Sequence, residues 1–405
     1  MNYRENPANG NKVSILGFGC MRLPQKGMRI DYEETRKQIL YAIEQGVNYF
    51  DTAWPYHNGE SEVVLGRIIK DAGIRDKVFI ADKLPPWVVQ KAEDIERIFQ
   101  KQLERLQTDY IDYYLIHALD GKSWDRIRTF GVEEFLKKVK AAGKIKNMGF
   151  SFHGSREDFK RIVDEYDWDF CQIQYNILDE QNQAGKEGLE YASSKGLAVV
   201  VMEPLRGGNL AREMPSQAAK IYDSAPRKRS NVEWALRWVW NHPQVMCILS
   251  GMNNMEHIKE NIRIAEDALP DSLTTEELDI IKRVADSYRS AMKVPCTGCQ
   301  YCMPCPAGVN IPSCFEHYNN YHMFGKKIMS KAMYHAQLGG LMSVKKQLAS
   351  QCISCGKCVQ HCPQSIDIPG EMKKVSKELE GFFINNLMKI VGVFFKRMGR
   401  GELKS

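Results

Sequence analysis

No run of apolar residues in this 405-residue sequence approaches the ~20 that a membrane-crossing helix needs, so no span is expected. The opening stretch, MNYRENPANGNK, has neither an apolar core nor a small-residue cleavage site, which argues against a secretory signal and for a cytoplasmic protein. Charge of one sign is also in short supply: the formal net charge is +6, and the basic residues are scattered rather than clustered. That pattern serves solubility and excludes a nucleic-acid footprint as the leading reading. Cysteine is nearly missing from the first 290 residues, which hold only Cys20, Cys171 and Cys247, whereas the other nine of the twelve fall between Cys296 and Cys362. In a reducing compartment such a cluster holds metal more readily than disulfides.

What is present, 43% hydrophobic and 26% charged residues, is the composition of a soluble globular protein, and the length suggests two domains. From Val13 to about Ala265 the chain alternates short β-branched or aromatic runs with amphipathic helical ones. The strand candidates are VSILGFG, VNYFDTA, KVFIADK, IDYYLIHA, IKNMGFSF, FCQIQYN, AVVVMEP and QVMCILSG. Eight strand-helix units, with no GxGxxG after the first strand, predict an α/β fold of the (β/α)8 TIM-barrel type rather than a doubly wound sheet. After the helical run TTEELDIIKRVADSYRSAM the composition changes abruptly near Val294. The expected organisation is a barrel over 1–290, a small, mainly helical metal-binding domain over 291–375, and a tail over 376–405.

In such a barrel the chemistry sits where strands run into the loops that follow them. The polar residues at those ends are Asp51, Lys83, His117, Ser151, Gln172, Asn176 and Glu203. Singly, each has an ordinary reading as a turn former, a solvated charge or a satisfied core group. Together, Asp51, Lys83 and His117 end three successive strands on one face, with Tyr56 in the loop after Asp51. A free phenol titrates near ~10, and a nearby ammonium favours its ionised form. Lys83 is placed to supply that charge, Asp51 to hold Lys83, and a neutral His117 to direct a carbonyl oxygen toward Tyr56. This is a general-acid site for adding hydride to a carbonyl.

The segments DTAWPY, GESEVVLG, ADK and YYLIHA resemble the active-site strands of the aldo-keto reductase superfamily. The likeness runs from LGFGCMRLP to SGMNNMEHIKEN, and puts Asp51, Tyr56, Lys83 and His117 on that family's catalytic tetrad. The resemblance implies a nicotinamide dinucleotide across the barrel mouth. Ser151 and Gln172 would lie near the carboxamide, Leu205 and Gly207 near the pyrophosphate, and Ser250, Gly251, Asn254 and Asn261 near the adenine ribose. Met202 stands where the family often stacks a Tyr on the nicotinamide. NADPH-dependent members often set a Lys and an Arg around the 2'-phosphate, where this chain has Gly251 and His257, so the choice between NADP and NAD stays open. The implied substrate is a small carbonyl compound, with Trp54, Trp87 and the loop from Leu119 to Trp124 as possible pocket walls.

The late cysteines form an internal repeat, CTGCQYCMPCPAGVNIP (296–312) against CISCGKCVQHCPQSIDIP (352–369). The second has the C-x2-C-x2-C-x3-C-P spacing of bacterial ferredoxins, and the first has its last gap shortened to two. Three thiolates at i, i+3 and i+6 wrap a cubane, while the fourth, stiffened by proline, points toward a second one. Zinc, which usually pairs two CxxC knuckles, fits this spacing less well. The repeat resembles the two-cluster ferredoxin domains, in a helical variety. That resemblance implies two 4Fe-4S clusters, one on Cys296, Cys299, Cys302 and Cys362 and the other on Cys352, Cys355, Cys358 and Cys305. Cys314 is a spare, either a buried structural thiol or a substitute for Cys305.

The tail, SKELEGFFINNLMKIVGVFFKRMGRGELKS, has an apolar face ending in basic residues. Docking on the rest of the protein or on a partner is the first reading, and attachment to a membrane surface the second. The function expected from the whole chain is an oxidoreductase passing hydride between NAD(P)H and an aldehyde, ketone or quinone-like carbonyl. Its clusters would carry electrons, with a redox partner protein, or serve structure. The competing reading is an electron-transfer protein whose barrel binds nucleotide or docks a partner without carbonyl turnover. Hydride carries two electrons and a cluster takes one at a time, and no clear flavin site links them.

Overall fold

In the computed structural model, which describes residues 1–212, 214–323, 327–339 and 345–381, with backbone alone at Met329, the eight β-rich runs form eight parallel strands. They are β1 (Leu16–Gly19), β2 (Tyr49–Asp51), β3 (Phe79–Leu84), β4 (Ile111–Leu119), β5 (Ile145–Phe152), β6 (Phe170–Gln174), β7 (Ala198–Met202) and β8 (Val245–Ser250). Each pairs with its successor and β8 pairs with β1, closing the (β/α)8 barrel. Between and after the strands come, in chain order, the helices α1 (Tyr32–Glu44), α2 (Glu60–Ala72), α3 (Ala92–Leu106), α4 (Gly121–Arg128), α5 (Val132–Ala141), α6 (Arg156–Glu165), α7 (Gly185–Ser194), α8 (Ser216–Asp223), α9 (Asn231–Trp240), α10 (Met255–Asp267) and α11 (Thr275–Ala291). Asp31, Ser155, Ser230 and Asn254 start α1, α6, α9 and α10 by accepting a backbone N–H of the first turn.

The run VSILGFG, expected as one strand, divides. Lys12–Ser14 pairs antiparallel with Tyr3–Glu5, and only Leu16–Gly19 enters the barrel. The reason is local hydrogen bonding: Ser14 Oγ donates to the Leu16 carbonyl at 2.7 Å, and the Ile15 amide donates to the Asn2 carbonyl at 3.0 Å. The turn between the two antiparallel strands brings Asn6, whose amide donates to Tyr113 Oη at 3.1 Å and Asn147 Oδ1 at 3.2 Å. Inside the barrel Tyr113 meets Tyr49 and Phe170, each at 5.0 Å between ring centroids. Gly149 makes room for that ring: a Cβ there would lie 2.4 Å from Phe170.

Gly66, which ends the GESEVVLG motif inside α2, allows a closer approach still. A Cβ on it would fall 2.4 Å from the Leu106 carbonyl group at the end of α3. Alanine prefers a helix over glycine by ~1 kcal/mol, but here the obstacle is backbone and has no rotamer to change. Gly66→Ala is therefore expected to destabilise the barrel by about 1–3 kcal/mol, read as a lower denaturation midpoint at an unchanged slope.

By internal contacts the chain forms two units: Met1–Ala211 with Arg227–Ile281, and Arg212–Pro226 with the chain from Lys282 on. The second contains α12 (Ile311–Met323), α13 (Lys327–Leu338) and α14 (Ile368–Leu379), so the expected helical character holds. Phe315, Tyr318, Tyr334, Leu338, Met372, Val375 and Leu379 are in its core, and Cys296, Cys302, Cys305, Cys352, Cys358 and Cys362 pack on that core. Polar ties hold α14 to its neighbours: Tyr318 Oη donates to Glu378 at 2.7 Å and Tyr334 Oη to Glu380 at 2.6 Å. The tail from residue 382 on lies outside the described residues, so both readings of it do too. No described helix is long and apolar enough to cross a membrane.

Candidate active site and metal centre

Neighbouring strands β2, β3 and β4 bring three of the four expected catalytic side chains side by side. Lys83 Nζ donates to Asp51 Oδ1 at 2.6 Å and to the Thr52 carbonyl at 2.8 Å, and stands 3.4 Å from Tyr56 Oη. The Asp51 and Lys83 side chains are nearly sealed from solvent, 3% and 1% exposed. Tyr56 arrives from the loop after β2, where His57, Asn58 and Gly59 all take left-handed φ values of 51°, 56° and 86°. Two of those residues are not glycine, and such backbone strain concentrates at functional sites. The His57 ring holds the turn by accepting the Leu23 N–H at 3.1 Å.

His117 completes the group. Its ring meets Tyr56 edge-on at 6.0 Å and Trp87 at 5.1 Å. The β4–β5 register slips between Ile116 and Leu119, and Ala118 is left-handed at φ 51°, a local break of the kind that re-aims a side chain at a strand end. Burial pushes the His117 imidazole well below its ordinary value, with the Lys83 charge adding, so the ring is neutral at physiological pH. Burial likewise raises the Asp51 carboxyl, opposed by Lys83.

The phenol departs from the expectation. Tyr56 lies well above its ordinary value, because burial and then the Asp51 carboxylate both disfavour phenolate. Lys83 has Asp51 at 2.6 Å and the phenol at 3.4 Å, so the carboxylate largely cancels the ammonium's field at the oxygen. Without substrate, the site holds a firmly protonated Tyr56.

The residues expected around the nucleotide fall on β5 to β8, consecutive in the barrel, and on the segments that follow β7 and β8. Ser151 Oγ accepts the Ala118 N–H at 2.7 Å, and Gln172 Nε2 approaches the Met202 sulfur at 3.6 Å. Leu205 to Gly208 form a tight turn in which Gly207 and Gly208 take φ of 65° and 89°. Ser250 Oγ accepts from Asn261 at 3.0 Å, and Asn254 caps α10 through the His257 N–H at 2.9 Å. Arg22, not singled out from the sequence, joins two of these segments: it donates to the Gly207 carbonyl at 2.8 Å and runs along Gly251. Its place just after β1 was the available signal.

A buried network below the tetrad also escaped sequence reasoning. Asp82 Oδ1 accepts the Lys83 N–H at 2.8 Å, Glu62 pairs with Arg105 at 2.6 Å, and Gln102 donates to Glu62 and to the Lys83 carbonyl. Burial and their mutual charge push Asp82 well up. Arg105 in turn covers the Trp54 ring at 4.0 Å. Of the other suggested pocket residues, Trp87 is 48% exposed beside His117, whereas Leu119 and Trp124 are fully buried. Trp124 packs on Tyr166 and Trp168, so it belongs to the core. Asn176 is turned toward Asp179 at 3.1 Å and the Glu203 carbonyl at 3.1 Å, beside the buried Arg206–Asp179 pair at 2.8 Å.

In the second unit the cysteines assort across the repeat. Cys296, Cys299, Cys302 and Cys362 line one pocket, walled also by Ile311, Phe315 and Ile366. Burial pushes the Cys302 thiol up to about 12, and the charges that add are those of Cys296, Cys299 and Cys362. At Cys358 burial again raises the thiol, and the neighbours acting on it are Cys352, Cys305 and Cys355. Among the described residues no three His, Cys, Asp or Glu side chains converge on a point for one ion. Four thiols lining one pocket make the donor set of a multi-iron cluster, which spreads its ligands over several metals. Cys314 is buried with its sulfur 3.8 Å from Tyr334 Oη and 3.7 Å from the Gln347 carbonyl.

The closed parallel barrel places the chain among the (β/α)8-barrel proteins, and comparison with known proteins gives the family. Residues 15–285 match the Aldo/keto reductase family, and residues 295–366 a 4Fe-4S dicluster domain. The chain belongs to the aldo/keto reductase family and carries a 4Fe-4S dicluster domain after its barrel. It is 25% identical to the L-galactose dehydrogenase of Arabidopsis thaliana over 305 residues, 69% of this chain and 93% of that protein. Among solved structures it resembles the holo form of aldo-keto reductase AKR11C1 from Bacillus halodurans, with a TM-score of 0.60, 28% identity and coverage of 70% and 96% of the two chains. An aldo/keto reductase from Klebsiella pneumoniae in complex with NADP and acetate matches with a TM-score of 0.58, 25% identity and coverage of 70% and 96%.

Proposed function

We propose that the barrel reduces a small aldehyde, ketone or quinone-like carbonyl with NADH or NADPH, in the cytosol. The observation that carries this reading is the chain Asp51–Lys83–Tyr56, with contacts of 2.6 and 3.4 Å, beside a neutral His117. The dinucleotide supplies hydride to the carbonyl carbon when bound. His117 directs the carbonyl oxygen toward Tyr56, and the Tyr56 hydroxyl gives its proton to that oxygen as charge develops there. A phenol held above its ordinary value stays protonated until the far more basic alkoxide forms, so transfer is driven by product formation. Lys83, held in place by Asp51 and 3.4 Å from the phenol, then donates a hydrogen bond to the phenolate oxygen. Ser151, Gln172, Met202, Leu205, Gly207, Ser250, Gly251, Asn254 and Asn261 are the residues that would hold the dinucleotide. The Klebsiella relative's NADP supports that role.

For the cysteines, the two thiol sets suit two 4Fe-4S clusters, which accept and release single electrons. The sharing of Cys305 and Cys362 between the repeats would tie each cluster to both halves of the unit.

The decisive experiment adds NADH or NADPH to anaerobically purified protein, with and without a panel of carbonyls, while EPR follows the clusters. Nicotinamide oxidation that depends on carbonyl is the expected result. No turnover with any carbonyl, together with cluster reduction by the nucleotide, would favour the electron-transfer reading instead.

A further inference from the structure

The two cysteine sets are unequally covered. The Cys296 set is half-buried and lines a pocket with Ile311 and Ile368, both buried, and Thr297 within that loop is 2% exposed. The loop of the Cys352 set lies open. Cys355 is exposed, Ile353 is 68% exposed and Val359 38%. Neither apolar side chain belongs to the core of this unit.

Charge gives the surface its sign. From Lys345 to Ile366 the chain has three lysines, Lys345, Lys346 and Lys357, and neither Asp nor Glu. All three lysines are exposed, and Lys357 stands between two of the cysteines. Redox proteins meet through small, short-lived contacts in which opposite charges steer the encounter and a few apolar groups seat it. Electron transfer weakens steeply with distance, which favours the metal centre nearest the surface.

We propose that the Cys352–Cys362 loop is the docking surface for an acidic one-electron carrier protein. Ile353 and Val359 form its apolar centre and Lys346 and Lys357 its charged rim, and the cluster of Cys352, Cys355, Cys358 and Cys305 exchanges the electron. This rests on the two-cluster reading above. Each encounter moves one electron: the cluster loses one and the oxidised carrier gains it, or the reverse, and no bond changes.

The test uses the full chain, purified anaerobically with about eight irons. It is pre-reduced with dithionite, freed of excess reductant, and mixed in a stopped-flow instrument with an oxidised acidic flavodoxin or with basic cytochrome c. The rate to flavodoxin is expected to fall about tenfold from low to high salt, and about tenfold in Lys357→Glu or Ile353→Ser at unchanged iron content. Gln300→Glu, beside Cys299 in the other loop, is expected to leave it unchanged, and Lys346→Glu repeats the measurement should Lys357→Glu lose iron. A flavodoxin rate indifferent to salt and to the lysine variants would overturn the surface while leaving eight irons, and so the clusters, intact. Equal slowing by Gln300→Glu would overturn it as well. Stoichiometric zinc in place of iron would overturn the cluster reading and the surface with it.

Discussion

In a Tyr56→Phe protein, kcat/KM for carbonyl reduction is expected to drop about 10²–10⁴-fold, with nucleotide affinity unchanged. The substitution deletes one oxygen and keeps the ring, which is partly exposed and packs edge-on to His117. Lys83 keeps its bonds to Asp51 and to the Thr52 carbonyl, so the buried pair stays satisfied. What goes is the hydroxyl proposed to protonate the nascent alkoxide. Steady-state kinetics with a fluorescence titration of bound nucleotide separate the two effects. A variant that kept full reduction would remove Tyr56 as the donor. Lys83→Met provides a contrast, because it leaves Asp51 buried without its ion pair, and a lost partner of that kind costs several kcal/mol of stability, about 3–5.

The second large effect concerns iron. Cys362→Ser, although it alters the second repeat, is expected to cost the same cluster as Cys302→Ser, taking the iron content from about eight to about four atoms per chain. The reason is the shared cavity lined by Cys296, Cys299, Cys302 and Cys362. Cys305→Ser should instead match Cys358→Ser, since Cys305 acts on Cys358 together with Cys352 and Cys355. Metal analysis and EPR of the four variants check the pairing: two spectra should share one missing signal and the other two the complementary one. Loss that followed the repeats, with Cys362→Ser matching Cys358→Ser, would refute the crossed assignment.

The eight strands were legible because each is a short β-branched run bounded by helical periodicity, and both signals are local. VSILGFG was over-read because Val13 and Leu16 look alike in sequence; only pairing with Tyr3–Glu5 distinguishes the segment that leaves the barrel. Trp124 was a plausible pocket wall by its place after a strand, yet its burial against Tyr166 and Trp168 is a long-range packing fact. Glu62 and Asp82 were overlooked because neither is unusual in its own segment. They matter through Gln102 and Arg105, contributed by α3.

By itself the sequence determined the repeating strand-helix order, the polar residues at the strand ends and the duplicated cysteine spacing, since all three depend on neighbours along the chain. Tertiary structure decided which thiols share a cavity, how far Lys83 stands from the phenol, and that burial rather than the ammonium governs Tyr56. Those quantities depend on distance and desolvation between groups tens of residues apart, which register and packing set and local pattern does not carry.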